Sequence, residues 1–132
     1  MKVSLIVVLA ILTPAAAIAG PAGKWRVGDG TAHVQIRPCG EALCGSIVWA
    51  ADGGGLDENN PDPAQRGRKL IGLPILHLQK NGDNLWAGSV YNAQNGQNYS
   101  AKLTMIGDST LTLEGCVLGT NLCGAENWAR TK

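Results

Sequence analysis

The chain has 132 residues, with 11 basic side chains against 10 acidic ones and a formal charge of +1. A balance this close to neutral, without a basic cluster or an aromatic platform, provides no field for gathering nucleic acid or anionic lipid, so neither is expected as a partner. Glycine is abundant at 18 residues, phenylalanine is absent, and the apolar residues are mostly Leu, Ile, Val and Ala, the composition of a turn-rich β protein.

The first 20 residues read as an export signal. Lys2 forms a short basic start, an apolar run extends from Val3 to Leu12, and small residues end at Ala17-Ile18-Ala19 before Gly20, so cleavage is expected after Ala19. The run is short of the roughly 20 apolar residues that span a bilayer, and no stable membrane anchor is expected. Removing residues 1–19 takes away Lys2 and leaves a formally neutral chain of 113 residues, read as one domain over 20–132. The expected location is the periplasm or the exterior.

From Lys24 onward the dominant rhythm has a period of two, as in antiparallel strands with one buried face. Ala32, Val34 and Ile36 alternate with His33, Gln35 and Arg37. The run from Cys44 to Ala50 is more apolar, with Ile47 and Trp49 placed on one face. Residues 52–73 form a long polar loop, in which Asp62-Pro63-Ala64-Gln65 has the pattern of a capping box with proline at the first helical position; a helical turn is expected over 63–68. Leu85 to Tyr91 reads as the next strand. Tyr99, Ala101, Leu103 and Met105 then alternate with Ser100, Lys102, Thr104 and Ile106, Leu111 and Leu113 continue the pattern, and Ala125 to Thr131 closes the set.

The connections Asn81-Gly82-Asp83, Asn95-Gly96 and Gly107-Asp108 are short and tolerate positive φ, so neighbouring strands should pair in sequence order. Seven or eight strands in a meander must close or split into two sheets to hide their edges, and closure is the favoured reading. The expected fold is therefore all-β: a small antiparallel up-and-down barrel with one short helical turn in a long loop across one mouth.

Four cysteines fall in two short-range pairs, Cys39 with Cys44 and Cys116 with Cys123. Four thiols suit zinc, but the gap between Cys39 and Cys44 is at the upper limit for paired ligands, that between Cys116 and Cys123 exceeds it, and an exported chain meets an oxidising compartment. Two disulfides are expected. Of three connectivities, the two local bridges are favoured because each brackets its own turn. Neither pair is a Cys-x-x-Cys redox motif, and no cofactor or metal is implied.

Trp25 in the first strand and Arg130 in the last can meet only if the sheet closes, with the guanidinium stacked on the indole; the alternative is a core tryptophan and a solvated arginine. In the long loop, Asn60, Asp62, Arg66 and Arg68 are a candidate polar site suited to a carboxylate or phosphate. The competing reading is a turn, a cap and internal ion pairs. A calcium site from Asp57, Asn59 and Asp62 lacks the spacing of a known loop type. His33 and His77 stand apart from any serine, cysteine or metal arrangement, and Glu41, Glu114 and Glu126 are isolated acids.

Read together, Gly23-x-Trp25, Asp29-Gly30, Cys39-Gly40-x-x-Leu43-Cys44-Gly45, Asn60-Pro61-Asp62, Arg66-x-Arg68, Gly72-Leu73-Pro74-Ile75-Leu76, Trp86-x-Gly88, Tyr99-Ser100-Ala101, Gly115-Cys116, Leu122-Cys123-Gly124 and Trp128-x-Arg130 resemble the exported bacterial family called domain of unknown function 2147. That family is similar to the calycins, the lipocalin-like barrels in which a Gly-x-Trp near the start packs beneath an Arg of the closing strand. The resemblance implies that Gly23, Trp25 and Arg130 take those positions, and it implies no particular activity.

The reading that follows is noncatalytic binding of a small apolar or amphipathic ligand inside the barrel. Strand alternation nominates Val34, Ile36, Ile47, Trp49, Leu103, Met105, Leu111 and Leu113 as its lining. The alternatives are an envelope protein-interaction module using the 52–73 loop and, third, a hydrolase acting on sugars through Asp57 and Asp62. The last needs two carboxylates at a fixed separation, which a sequence does not supply.

Overall fold

A computed structural model describes residues 20–132 together with positions 4, 6–8 and 10. Apart from those five positions, the leader expected over 1–19 and its cleavage point lie outside the described residues. Eight antiparallel strands follow in order: β1 (Gly23–Arg26), β2 (Ala32–Cys39), β3 (Ala42–Ala50), β4 (Pro74–Gly82), β5 (Leu85–Asn92), β6 (Gln97–Ile106), β7 (Thr110–Val117) and β8 (Cys123–Thr131). Each pairs with its neighbour in sequence, and β1 pairs with β8 to close the barrel. The meander leaves no free sheet edge, which removes the main route to edge-to-edge aggregation.

The alternation read from the sequence sets which side chains turn inward. Trp25, Val34, Ile36, Leu76, Leu78, Ala101, Leu103, Met105, Leu111, Leu113 and Trp128 are buried together as one core. On β6 the outward partners are solvent-facing, including Ile106 at 55% exposure. At the seam Trp25 stands opposite Arg130, so both point to the same side of the sheet. The Arg130 guanidinium carbon lies 4.4 Å from the Trp25 ring centroid. Its Nε donates to Asp108 O at 2.6 Å, and its two terminal nitrogens donate to Ala22 O and Gly20 O at 2.7 and 2.8 Å. Trp25 Nε1 donates to Pro21 O at 2.8 Å. One cation thus covers the tryptophan and fixes three segments at this end of the barrel. Gly23, at φ +136°, is required there because a Cβ would collide with Arg130 Nη1.

Two departures from plain alternation matter. Between β2 and β3, His33 faces Trp49 but Val34 faces Ile47, so Val48 is one extra residue. Such a bulge reverses the faces beyond it. Trp49 therefore lies on the outside, 44% exposed, with its ring tilted against that of His33 at 4.5 Å between centroids; its expected place in the lining is corrected. Between β3 and β4, Gly45 faces Leu76 but Ser46 faces Pro74, making Ile75 a second extra residue. That doubling, with proline at the start, hides the period-two signal of β4, which the sequence reading leaves unassigned.

Cys39 is bonded to Cys44 and Cys116 to Cys123. The first bridge clips the β2–β3 hairpin at the Trp25–Arg130 end, and the second clips the β7–β8 hairpin at the opposite end, where the long β3–β4 loop also lies. The helical turn in that loop is a 3-10 turn over Pro63–Gln65, shorter than the expected 63–68; Asp62 caps it by accepting from Ala64 N at 3.0 Å. Beyond it, Arg68 N bonds back to Gln65 O and the chain turns away through Gly67.

Candidate functional site

The two halves of the barrel interior differ. Toward the Trp25–Arg130 end, Ile36, Leu103, Met105 and Leu111 pack with Trp25 and Trp128 as one buried cluster. Toward the mouth, a cavity of about 700 Å³ lies between Val27, Val34, Ile47, Ile75, Val90 and Leu113. Its size falls in the range of small-molecule sites. Small side chains produce the space. Gly115 and Gly124 face each other across β7 and β8, and both border the cavity. A Cβ at Gly124 would meet nothing within 4 Å, and at Gly115 only ordinary contacts with Tyr99 and Val90.

Of the eight residues nominated as lining, Val34, Ile47 and Leu113 border this cavity. Ile36, Leu103, Met105 and Leu111 are buried in the packed half, and Trp49 is outside. Polar members of the wall are absent from that nomination, among them Asp29, Asp52, Tyr99 and Glu126, which all border the space. Glu126 had a detectable signal, because it shares a face of β8 with Trp128 and Arg130. Its Oε1 accepts from Nε1 of the buried Trp128.

The long loop is anchored beside this mouth by a buried carboxylate. Asp57 is fully buried; its Oδ1 accepts from Tyr91 Oη at 2.6 Å, and its Oδ2 from Arg68 Nη2 and Asn60 Nδ2, each at 2.9 Å. Burial pushes the carboxyl up, but the hydrogen bonds from Tyr91, Arg68 and Asn60 outweigh it and hold it below its ordinary value. Burial and the bond to Asp57 push the Tyr91 hydroxyl above its ordinary value. A second tether runs from Asn59 Nδ2 to Gln94 O at 2.9 Å. Gly96 lies so close beneath this crossing, at φ +72°, that a Cβ would strike Asn59 O.

This geometry assigns the candidate loop residues to structure. Asn60 binds Asp57 and accepts from Asp62 N at 2.9 Å; Asp62 caps the 3-10 turn; Arg66 Nε donates to Asn60 O at 2.8 Å; Arg68 pairs with Asp57. Neither arginine faces the cavity. Asp57 has both oxygens occupied and Asp62 is a cap, so the two acids are not arranged as a facing pair. His77 lies near the Cys39 and Cys44 sulfurs, but those are joined to each other and hold no proton to lose to a metal.

Residues 23–130 match the family described as uncharacterised proteins conserved in bacteria, domain of unknown function 2147. The chain belongs to that family. In fold it is similar to a protein of the human pathogen Helicobacter pylori described as belonging to the lipocalin family, at a TM-score of 0.75 and 18% identity, over 84% of this chain and 82% of that one. No curated protein matches the chain. In this member of the family the two disulfides are consistent with an extracytoplasmic location. Among the described residues, no helix is long and apolar enough to cross a membrane.

Proposed function

We propose that this protein is an exported, noncatalytic carrier that holds a small apolar or amphipathic molecule in the mouth half of its barrel, in the periplasm or outside the cell. The observation that carries this reading is the cavity of about 700 Å³, walled by aliphatic side chains and bounded below by a packed core. A lipocalin-like barrel of this kind offers one concave, largely apolar space with a few polar groups at its rim, the usual form of a ligand site. The glycine pair keeps that space open, although a larger side chain at either position would fill it and add packing.

The test is titration of the mature protein with the neutral fluorescent probe N-phenyl-1-naphthylamine, alongside Gly124→Ile. Saturable emission enhancement is expected for the wild type and its loss for the variant, with the thermal midpoint of the variant unchanged or raised. Absence of saturable binding to the wild type, or equal binding by the variant, overturns the reading.

A further inference from the structure

The charge on the cavity wall is of one sign. Asp29, Asp52 and Glu126, each solvent-exposed, border the space, and among the described residues no lysine, arginine or histidine does. Three arginines are committed elsewhere, Arg68 to Asp57, Arg66 to the carbonyl of Asn60 and Arg130 to three carbonyls at the far end, while Arg26, whose side chain passes the Gly30 turn, and Lys69, next to Leu70, do not border the cavity. The three acids come from different elements but share one side. Glu126 Oε2 lies within 3.4 Å of the position a Cβ would take at Gly28, next in sequence to Asp29. Ala51, beside Asp52, donates its N–H to Thr31 O in the same β1–β2 connection.

Each acid has acceptor capacity left over. Asp29 Oδ1 takes both the Thr31 hydroxyl and its N–H, at 2.6 and 3.0 Å, and these bonds hold the carboxyl below its ordinary value. Asp52 Oδ1 takes Gly54 N at 2.9 Å. Glu126 Oε1 takes the Trp128 indole. The second oxygen of each group has no protein donor among the described residues. Aromatic groups complete the wall: Tyr91, Tyr99 and Trp128 border the same cavity as the acids, and a cation beside such rings gains a further attraction.

From these observations we infer that the cavity selects a cationic amphiphile: an apolar body seated between the aliphatic walls and a protonated or quaternary amine held by Glu126, Asp29 and Asp52. This deepens the carrier reading and rests on it. A carboxylate or phosphate headgroup, the common partner of an arginine-lined barrel, meets three like charges here and no counter-charge.

The experiment compares three ligands of equal chain length, decyltrimethylammonium, decanol and decanoate, each below its micelle concentration. Binding to the mature protein is followed by calorimetry and tryptophan fluorescence at low and at physiological salt. The cation is expected to bind at least about tenfold more tightly than decanoate, with decanol between them and only the cation losing affinity as salt rises. Glu126→Gln, whose amide oxygen can still accept from Trp128, is expected to weaken the cation several-fold and leave decanol unchanged; Glu126→Lys reverses the order of cation and anion. Near-ultraviolet circular dichroism checks that both variants keep the barrel. If decanoate binds as tightly as the cation, or Glu126→Gln leaves the cation unaffected, the charge inference falls and the carrier reading stands. If none of the three binds, both fall.

Discussion

Asp57 shows how a single buried charge can organise a loop that has little core of its own. Three donors reach its two oxygens from the loop itself and from β5, and the carboxylate has no contact with water. Asp57→Ala leaves Tyr91 and Asn60 without their acceptor, while Arg68, 43% exposed, can turn to solvent. The expected loss is therefore about 2–3 kcal/mol, at the lower end for breaking a buried pair. Tyr91→Phe should cost about 1 kcal/mol. Urea unfolding followed by tryptophan fluorescence measures both. The same bonds set an acid limit. Because the folded carboxyl titrates below its unfolded value of 3.8, its contribution is complete above that pH and is lost as pH falls through the folded value. Tyr91 has the opposite sign: its contribution is complete below its ordinary value of 10.0 and is lost as pH rises through the raised one. These groups predict a fall in stability at low pH and another above about pH 10, and Asp57→Asn should shrink the acid fall without abolishing it, because Asp29 is also held below its ordinary value.

The strands separate what was legible in the sequence from what was not. β2, β6 and β7 each keep a clean period of two, and alternation identified Val34, Ile36, Leu103, Met105, Leu111 and Leu113 as buried. Trp49 was misplaced because Val48, one extra residue with no turn signal of its own, reverses the face. β4 was missed for a related reason, the adjacency of Ile75 and Leu76 at a second bulge. The loop residues were legible as cap and ion-pair chemistry, and the partner of Arg68 had to wait for coordinates. The face of Glu126 is legible from its spacing to Trp128 and Arg130, but its place on the cavity wall is not, since that space borders Gly115 and Gly124, two residues that meet only when β7 and β8 pair. The two disulfides belong to hairpins at opposite ends, and each closes a loop of fewer than ten residues, so each should contribute about 2–2.5 kcal/mol by the chain-entropy argument. Replacing Cys116 and Cys123 together by serine is expected to lower the midpoint of urea unfolding accordingly. It should also speed amide exchange at 117–123 while leaving the Cys39–Cys44 hairpin unchanged.

As a whole, the barrel depends on a short seam. β1 has only four residues, and its register with β8 runs over three pairs, Lys24 with Thr131, Trp25 with Arg130 and Arg26 with Ala129. Longer ladders join the other strands, so the seam depends more on side chains, above all on Arg130 covering Trp25. Arg130→Ala removes three hydrogen bonds to carbonyls and exposes one face of the indole; about 2–3 kcal/mol of lost stability is expected. Amide exchange is the discriminating measurement. Trp25 and Arg26 should lose protection sooner than residues 86–90 of β5, because opening begins where the cylinder was joined.

Below Trp128 the barrel is occupied by Trp25, Ile36, Leu103, Met105 and Leu111, buried together, and the cavity borders none of the five. On the carrier reading proposed above, a bound molecule would therefore enter and leave at the mouth. Traffic of such a molecule would pass the rim that holds the Cys116–Cys123 clip and the loop anchored by Asp57.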